Sequence, residues 1–211
     1  MRIEKHPERV FFCFCTLLLM DDKKRCEWCV GNPLYEAYHD LEWGVPLRND
    51  QKLFEFLTLE TFQAGLSWIT ILKKRESFRI AFDEFEYRKV AAYSETKIQE
   101  LLQNSKIVRN NLKIRAAVNN AQRFIEVQES VGSFAAYMWR FVNHKPLQNE
   151  FENHGAVPAT TTLAKTISKD LKKRGFRFVG PTVIYAHMQA TGMVNDHVVS
   201  CFRYKEVQEL T

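Results

Sequence analysis

Glycine and proline are scarce in this chain, eight and six residues out of 211. So few turn-formers cannot separate the many short strands of a β-sandwich or barrel. No internal repeat or low-complexity tract is present, which sets solenoids and propellers aside. Cysteine is sparse and odd in number: Cys13, Cys15, Cys26, Cys29 and Cys201. Their irregular spacing is not a disulfide framework, so reduced thiols or metal ligands are the readings left. Long apolar runs are missing too. Val10 to Met20 (VFFCFCTLLLM) covers eleven residues, and a membrane-spanning helix needs about 20. The charged residues before it imitate a signal peptide. Asp21-Asp22-Lys23-Lys24-Arg25 follows, however, where a small-residue cleavage site would stand. A third possibility makes Met20 the natural start and residues 1–19 an upstream extension.

What is present suits one helical domain. The hydrophobic fraction of 45% supports a core, and sixteen Phe with four Trp make it aromatic. A net charge of +5 permits an anionic partner without requiring one. After residue 50 apolar residues recur mainly at helical spacing. Asp50 is expected to cap a helix beginning near Lys52, and Gln63 to Ser67 to interrupt it. Trp68 to Phe82 resumes the helix, with Ile69, Leu72 and Ile80 toward one side. Ser94, Asn110 or Asn111, and Thr162 are further cap candidates, and Ser133 to Val142 is another helix. Gly175 and Gly192 stand at helix ends, and Pro181 at a first turn. His144 to Thr162 reads as a loop. Phe176 to Val179 is the sole strand-like stretch and is too short for a sheet. The fold class is therefore all-α.

Three constellations carry chemistry. His197 and Cys201 stand four apart and share a face if helical. Cys26 and His39 lie near the other end, and two Cys with two His make a structural zinc set. Cys29 leaves an alternative, because Cys26-Glu-Trp-Cys29 is itself a CxxC. Second, Glu60 and Trp68 flank LETFQAGLSW. A carboxylate among aromatic rings can receive a planar cation. Third, basic residues gather at Lys165 to Arg177, including Lys172, Lys173 and Arg174, and again around Arg109. Phosphate contacts need such residues, although a solvated helix face presents the same ones.

Taken together, RCEW, PLYEAYHDLEWGVP, LETFQAGLSWITILKKRE, KKRGFRFVGPT and MVNDHVVSC make the chain resemble the 3-methyladenine DNA glycosylase I family, from about Arg25 to Tyr204. Because the resemblance needs nothing before Arg25, Met20 is favoured as the start. Residues 1–24 are then an N-terminal extension, 25–204 the glycosylase domain and 205–211 a tail. The resemblance implies a helix-hairpin-helix element. It also implies a structural Zn2+ on Cys26, His39, His197 and Cys201, joining the N- and C-terminal segments, with Cys29 a bystander. It implies that Glu60, Tyr38 and Trp68 contact the base, with Trp28 and Trp43 completing the pocket. The implied reaction hydrolyses the N-glycosidic bond of 3-methyladenine in double-stranded alkylated DNA. Gly65 and Leu66 are the candidate plug for the gap left by the base. Lys106, Arg109, Lys172, Lys173 and Arg174 are candidate DNA contacts. The expected protein is a cytoplasmic monomer with no membrane partner. Two departures stand out. No Asp lies between Asp83 and Asp170, where many helix-hairpin-helix glycosylases carry one. Lys106 stands where such hairpins usually have glycine.

Overall fold

The computed structural model describes residues 23–210. The expected extension, with Val10 to Met20, Cys13 and Cys15, lies outside the described residues apart from Lys23 and Lys24. Among the described residues ten α-helices make up the body: α1 Pro33–Leu41, α2 Asp50–Gln63, α3 Trp68–Ala81, α4 Tyr87–Ala91, α5 Glu95–Gln103, α6 Asn111–Val131, α7 Phe134–Trp139, α8 Thr162–Lys173, α9 Pro181–Ala190 and α10 Phe202–Gln208. Among the described residues the sole strands are β1 Leu147–Gln148 and β2 Val194–Asn195, paired in parallel. The chain is thus mostly helical, and no described helix is long and apolar enough to cross a membrane.

Helix α2 is the axis of the core. Every residue from Leu53 to Phe62 is buried, as expected of a helix enclosed on all sides. Glu55 lies on this helix at 3% exposure and survives there because it is paired. Arg75 Nε donates to Glu55 Oε1 at 2.8 Å and Arg79 Nε at 3.0 Å, while Lys52 Nζ reaches Oε2 at 2.9 Å. Burial opposes the charge, but these cations outweigh it and hold the carboxyl below its usual range.

Several expected boundaries shift by one residue. Asn49, not Asp50, caps α2, accepting from Lys52 N at 3.0 Å. Asp50 instead turns its carboxylate to the start of α7, accepting from Phe134 N and Ala135 N at 3.0 and 2.8 Å. Thr161 rather than Thr162 caps α8. Ser94 caps α5 as expected, Asn110 rather than Asn111 caps α6, and Ser133 caps α7 instead of beginning it. The inward side of α3 is Trp68, Ile71, Leu72, Arg75, Phe78 and Ala81, whereas Ile80 is 70% exposed. Phe176 to Val179 forms no strand. The loop from His144 to Thr162 contains β1, which pairs with β2 from 47 residues away. The expected tail is also firmer than a tail, since α10 runs to Gln208 with Val207 buried.

Candidate active site

Helix α1 positions two sites at once. Asn32 starts it by accepting from Leu34 N and Tyr35 N, with Pro33 at its first position. Helical spacing then sets Tyr35, Tyr38 and His39 on one side. Tyr35 and Tyr38 line a cavity of about 270 Å³. His39 faces a Cys/His cluster.

The cavity walls also include Trp28, Trp43, Glu60, Gln63 and Trp68, with Gln189 and Ala186 from α9 and His154 and Val157 from the loop before α8. Its aromatic rings meet at angles that fix one another. Trp28 stands edge-on to Tyr35 at 5.4 Å and to Trp43 at 5.1 Å, and Tyr38 tilts against Trp68 at 5.4 Å. Glu60 is 4% exposed, and its Oε2 finds no hydrogen-bond partner among the described residues. Burial pushes its carboxyl up to about 8. Trp68 Nε1 is likewise buried and unpartnered. Burial, and next the nearby Glu60, push the Tyr38 hydroxyl well above its usual range. An unpaired buried polar atom costs about 1–3 kcal/mol. An acceptor and a donor left in that state on a cavity wall mark a receptor for a polar, planar ligand.

Beside the cavity, Cys26, His39, His197 and Cys201 bring four ligand atoms within 4.8 Å of one another, all on buried residues. His39 Nε2 lies 3.4 Å from Cys201 Sγ, and His197 Nδ1 lies 3.7 Å from Cys26 Sγ. The outward ring nitrogens are both engaged. His39 Nδ1 meets Asp40 Oδ1 at 2.7 Å, and His197 Nε2 meets the Trp43 carbonyl at 3.1 Å. Asp40 is itself gripped by Arg25, whose Nη2 donates at 2.7 Å. Two thiols and two imidazoles, each ring oriented by an outer acceptor, fit a tetrahedral metal ion. Cys29 is buried but outside the set, its thiol donating to the Cys26 carbonyl. Residues 197–201 form a turn rather than a helix, closed by Cys201 N donating to the Val198 carbonyl at 2.8 Å. Gly44 has φ +80°, and a methyl there would sit 2.9 Å from His197 Nε2.

The structure therefore brings Tyr38, Glu60, Trp68, Trp28 and Trp43 to one cavity and the four Cys/His residues to one cluster. The basic and plug residues lie elsewhere. Gly65, at φ +81°, and the 41%-exposed Leu66 form the bend between α2 and α3. Lys106 and Arg109 are exposed on the turn between α5 and α6. Lys106 has no positive φ, so lysine there is unstrained, and Lys74 Nζ donates to its carbonyl at 3.0 Å. Lys172 and Lys173 are exposed at the end of α8. Arg174 is already occupied, pairing with Asp170 at 3.1 Å and stacking on Tyr137.

The sequence pattern of the methyladenine glycosylase family matches residues 28–204. The chain belongs to that family. DNA-3-methyladenine glycosylase 1 of Escherichia coli (strain K12) is 47% identical over 181 residues, covering 86% of this chain and 97% of the relative. A crystal structure of 3-methyladenine DNA glycosylase I superposes with a TM-score of 0.83 at 46% identity, covering 85% and 98%. The Staphylococcus aureus 3-methyladenine DNA glycosylase I, solved for its recognition of 3-methyladenine, gives 0.82 at 38% identity, covering 84% and 95%. Sequence reasoning from the family's motifs did not reach the remaining cavity walls of this methyladenine glycosylase family member. Tyr35 had a signal, sitting one helical turn before Tyr38 and His39. Gln63 had the same kind of signal, three residues after Glu60 on α2. His154, Val157, Ala186 and Gln189 had none, because only folding brings α9 and the loop before α8 to α2.

Proposed function

We propose that this chain hydrolyses the N-glycosidic bond of 3-methyladenine in double-stranded alkylated DNA, releasing the base and leaving an abasic site. The observation that carries the proposal is Glu60, buried and unpaired in a wall of aromatic rings. Such a cavity suits a flat cation. The rings of Trp28, Tyr38, Trp43 and Trp68 supply stacking and cation–π attraction, and Glu60 supplies the opposing charge. A neutral Glu60 costs least in the free protein, and an arriving cation favours its ionised form.

The substrate base must leave the duplex stack, which costs a few kcal/mol. Gly65 and Leu66 are the element that fills the gap. The turn between α5 and α6 acts as the hairpin of a helix-hairpin-helix, with Lys106 and Arg109 toward phosphates. Lys172 and Lys173 add phosphate contacts, and Arg174 buttresses them from its place on Tyr137. Alkylation at N3 has already made the base a cationic leaving group. The C1′–N9 bond breaks with its electron pair going to the base, which departs neutral. Water oxygen bonds C1′ and gives its proton to solvent. No acid is needed to protonate the base, which accords with the absence of Asp between Asp83 and Asp170. Glu60 is thus a catalytic residue by recognition and charge stabilisation.

Cys26, His39, His197 and Cys201 would hold Zn2+. With four protein ligands the ion supplies architecture, linking segments 171 residues apart. The reading includes a monomer acting in the cytoplasm. Incubation with methylated DNA, followed by identification of the released bases, tests it. Wild-type protein should release 3-methyladenine and Glu60→Gln should release it at least about 100-fold more slowly. Equal rates would remove Glu60 from the mechanism.

A further inference from the structure

We infer that Gln189 is a specificity-determining residue, which presents its amide oxygen to the 6-amino group of the base and so selects adenine over guanine; this rests on the glycosylase reading above. Gln189 lies in the last turn of α9 and lines the cavity together with Glu60. Its side chain is held by Asp196. Nε2 donates to Asp196 Oδ2 at 2.7 Å. Asp196 is 2% exposed and also accepts from Tyr185 Oη at 2.6 Å and Asn149 Nδ2 at 2.7 Å.

An ionised carboxylate only accepts. Three donors converge on this one, so the amide of Gln189 has one tenable orientation. The reverse would press Oε1 against a carboxylate oxygen. The backbone is fixed as well, because the Gln189 carbonyl accepts from Gly44 N at 3.1 Å. Oε1 is therefore the atom left for a ligand, and it is locked as an acceptor.

The cavity then holds one acceptor that has no proton to give, Gln189 Oε1, beside the Glu60 carboxyl. The exocyclic amine of 3-methyladenine carries an N–H for it. 3-Methylguanine carries an oxygen at that position, which would face Gln189 Oε1 with no proton between them. Leaving polar groups opposed and dry is a strong basis for rejection.

The test is binding of the free bases, read by quenching of the cavity tryptophans. Wild-type protein should bind 3-methyladenine roughly 10- to 100-fold more tightly than 3-methylguanine. Gln189→Met should lose most of that ratio, chiefly by weaker 3-methyladenine binding. Asp196→Asn can donate as well as accept, frees the amide to turn, and should move the ratio toward guanine. A Gln189→Met protein that keeps the wild-type ratio overturns the inference, even if Asp196→Asn fails to fold. The readout needs no turnover, so failure to release 3-methyladenine from methylated DNA would sink the glycosylase reading separately.

Discussion

Two buried polar clusters stand side by side, divided by two tryptophans. Trp28 touches His39 at 5.5 Å and Trp43 touches His197 at 4.6 Å, while both rings line the cavity on the other side. The Cys/His cluster is saturated. Each imidazole has its outer nitrogen on an acceptor, and the inner atoms face one another. The aromatic cavity is left unsaturated, with Glu60 Oε2 and Trp68 Nε1 unpaired among the described residues. The same burial that stabilises a completed set of partners leaves an incomplete one reactive toward ligands. His187 is a third case: 0% exposed, with both ring nitrogens unpartnered among the described residues and no place on the cavity wall. It is held neutral and spends stability without receiving anything.

Breaking the saturated cluster should have the largest effect. Cys201→Ser should lower bound zinc and cost about 5 kcal/mol or more of unfolding free energy in metal-replete buffer. Full zinc content and an unchanged urea midpoint would show the cluster is not a metal site. The unsaturated cavity should respond in the opposite direction. Folded Glu60 keeps its proton to about pH 8, whereas the unfolded chain releases it near 4.5. Stability therefore falls as pH rises between those values, and Glu60→Gln should recover up to about 4 kcal/mol at pH 8 and little at pH 4.5. A Gln variant less stable than wild type at pH 8 would contradict the contrast.

His187 supplies a smaller effect of opposite slope. Burial depresses its pKa to about 4 from the usual 6.5. Between those values the unfolded chain takes a proton that the folded one refuses, so stability falls as pH falls. The stability gained by His187→Leu should be about 2 kcal/mol larger at pH 5 than at pH 8, and an equal gain at both in urea unfolding would show that His187 is not held neutral. Gly44→Ala should be mildest. The methyl would crowd His197 Nε2 at a positive φ, costing about 1 kcal/mol and about tenfold in metal affinity. Metal affinity equal to wild type would mean that the Trp43 carbonyl does not orient His197.

The helices were largely legible because apolar spacing and caps are local. Errors came where neighbours offered two similar polar residues. Asn49 and Asp50 could each cap α2, and a contact with α7, more than 80 residues on, decides between them. Thr161 and Thr162 pose the same ambiguity. Ile80 misled because it is apolar yet exposed. The two-residue β1–β2 pair leaves no local trace. The cluster and the centre of the cavity could be named from the family's motifs, but not from spacing. His197 and Cys201 come together through a turn, not a helical face. The Asp196 network on Gln189 and the Arg75–Glu55 pair join distant segments, and no periodicity announces them.

The separation of Cys26 from His197 by 171 residues also orders events during synthesis. At about 5–20 residues per second, roughly 10–30 s pass after Cys26 is made before its partner exists. Throughout that interval Cys26 and Cys29 are a bare CxxC pair, open to oxidation into a wrong disulfide. His197 and Cys201, translated long after Cys26, are the residues that shelter it. Nascent chains arrested before His197 should accordingly accept a thiol label at Cys26 that the completed protein refuses.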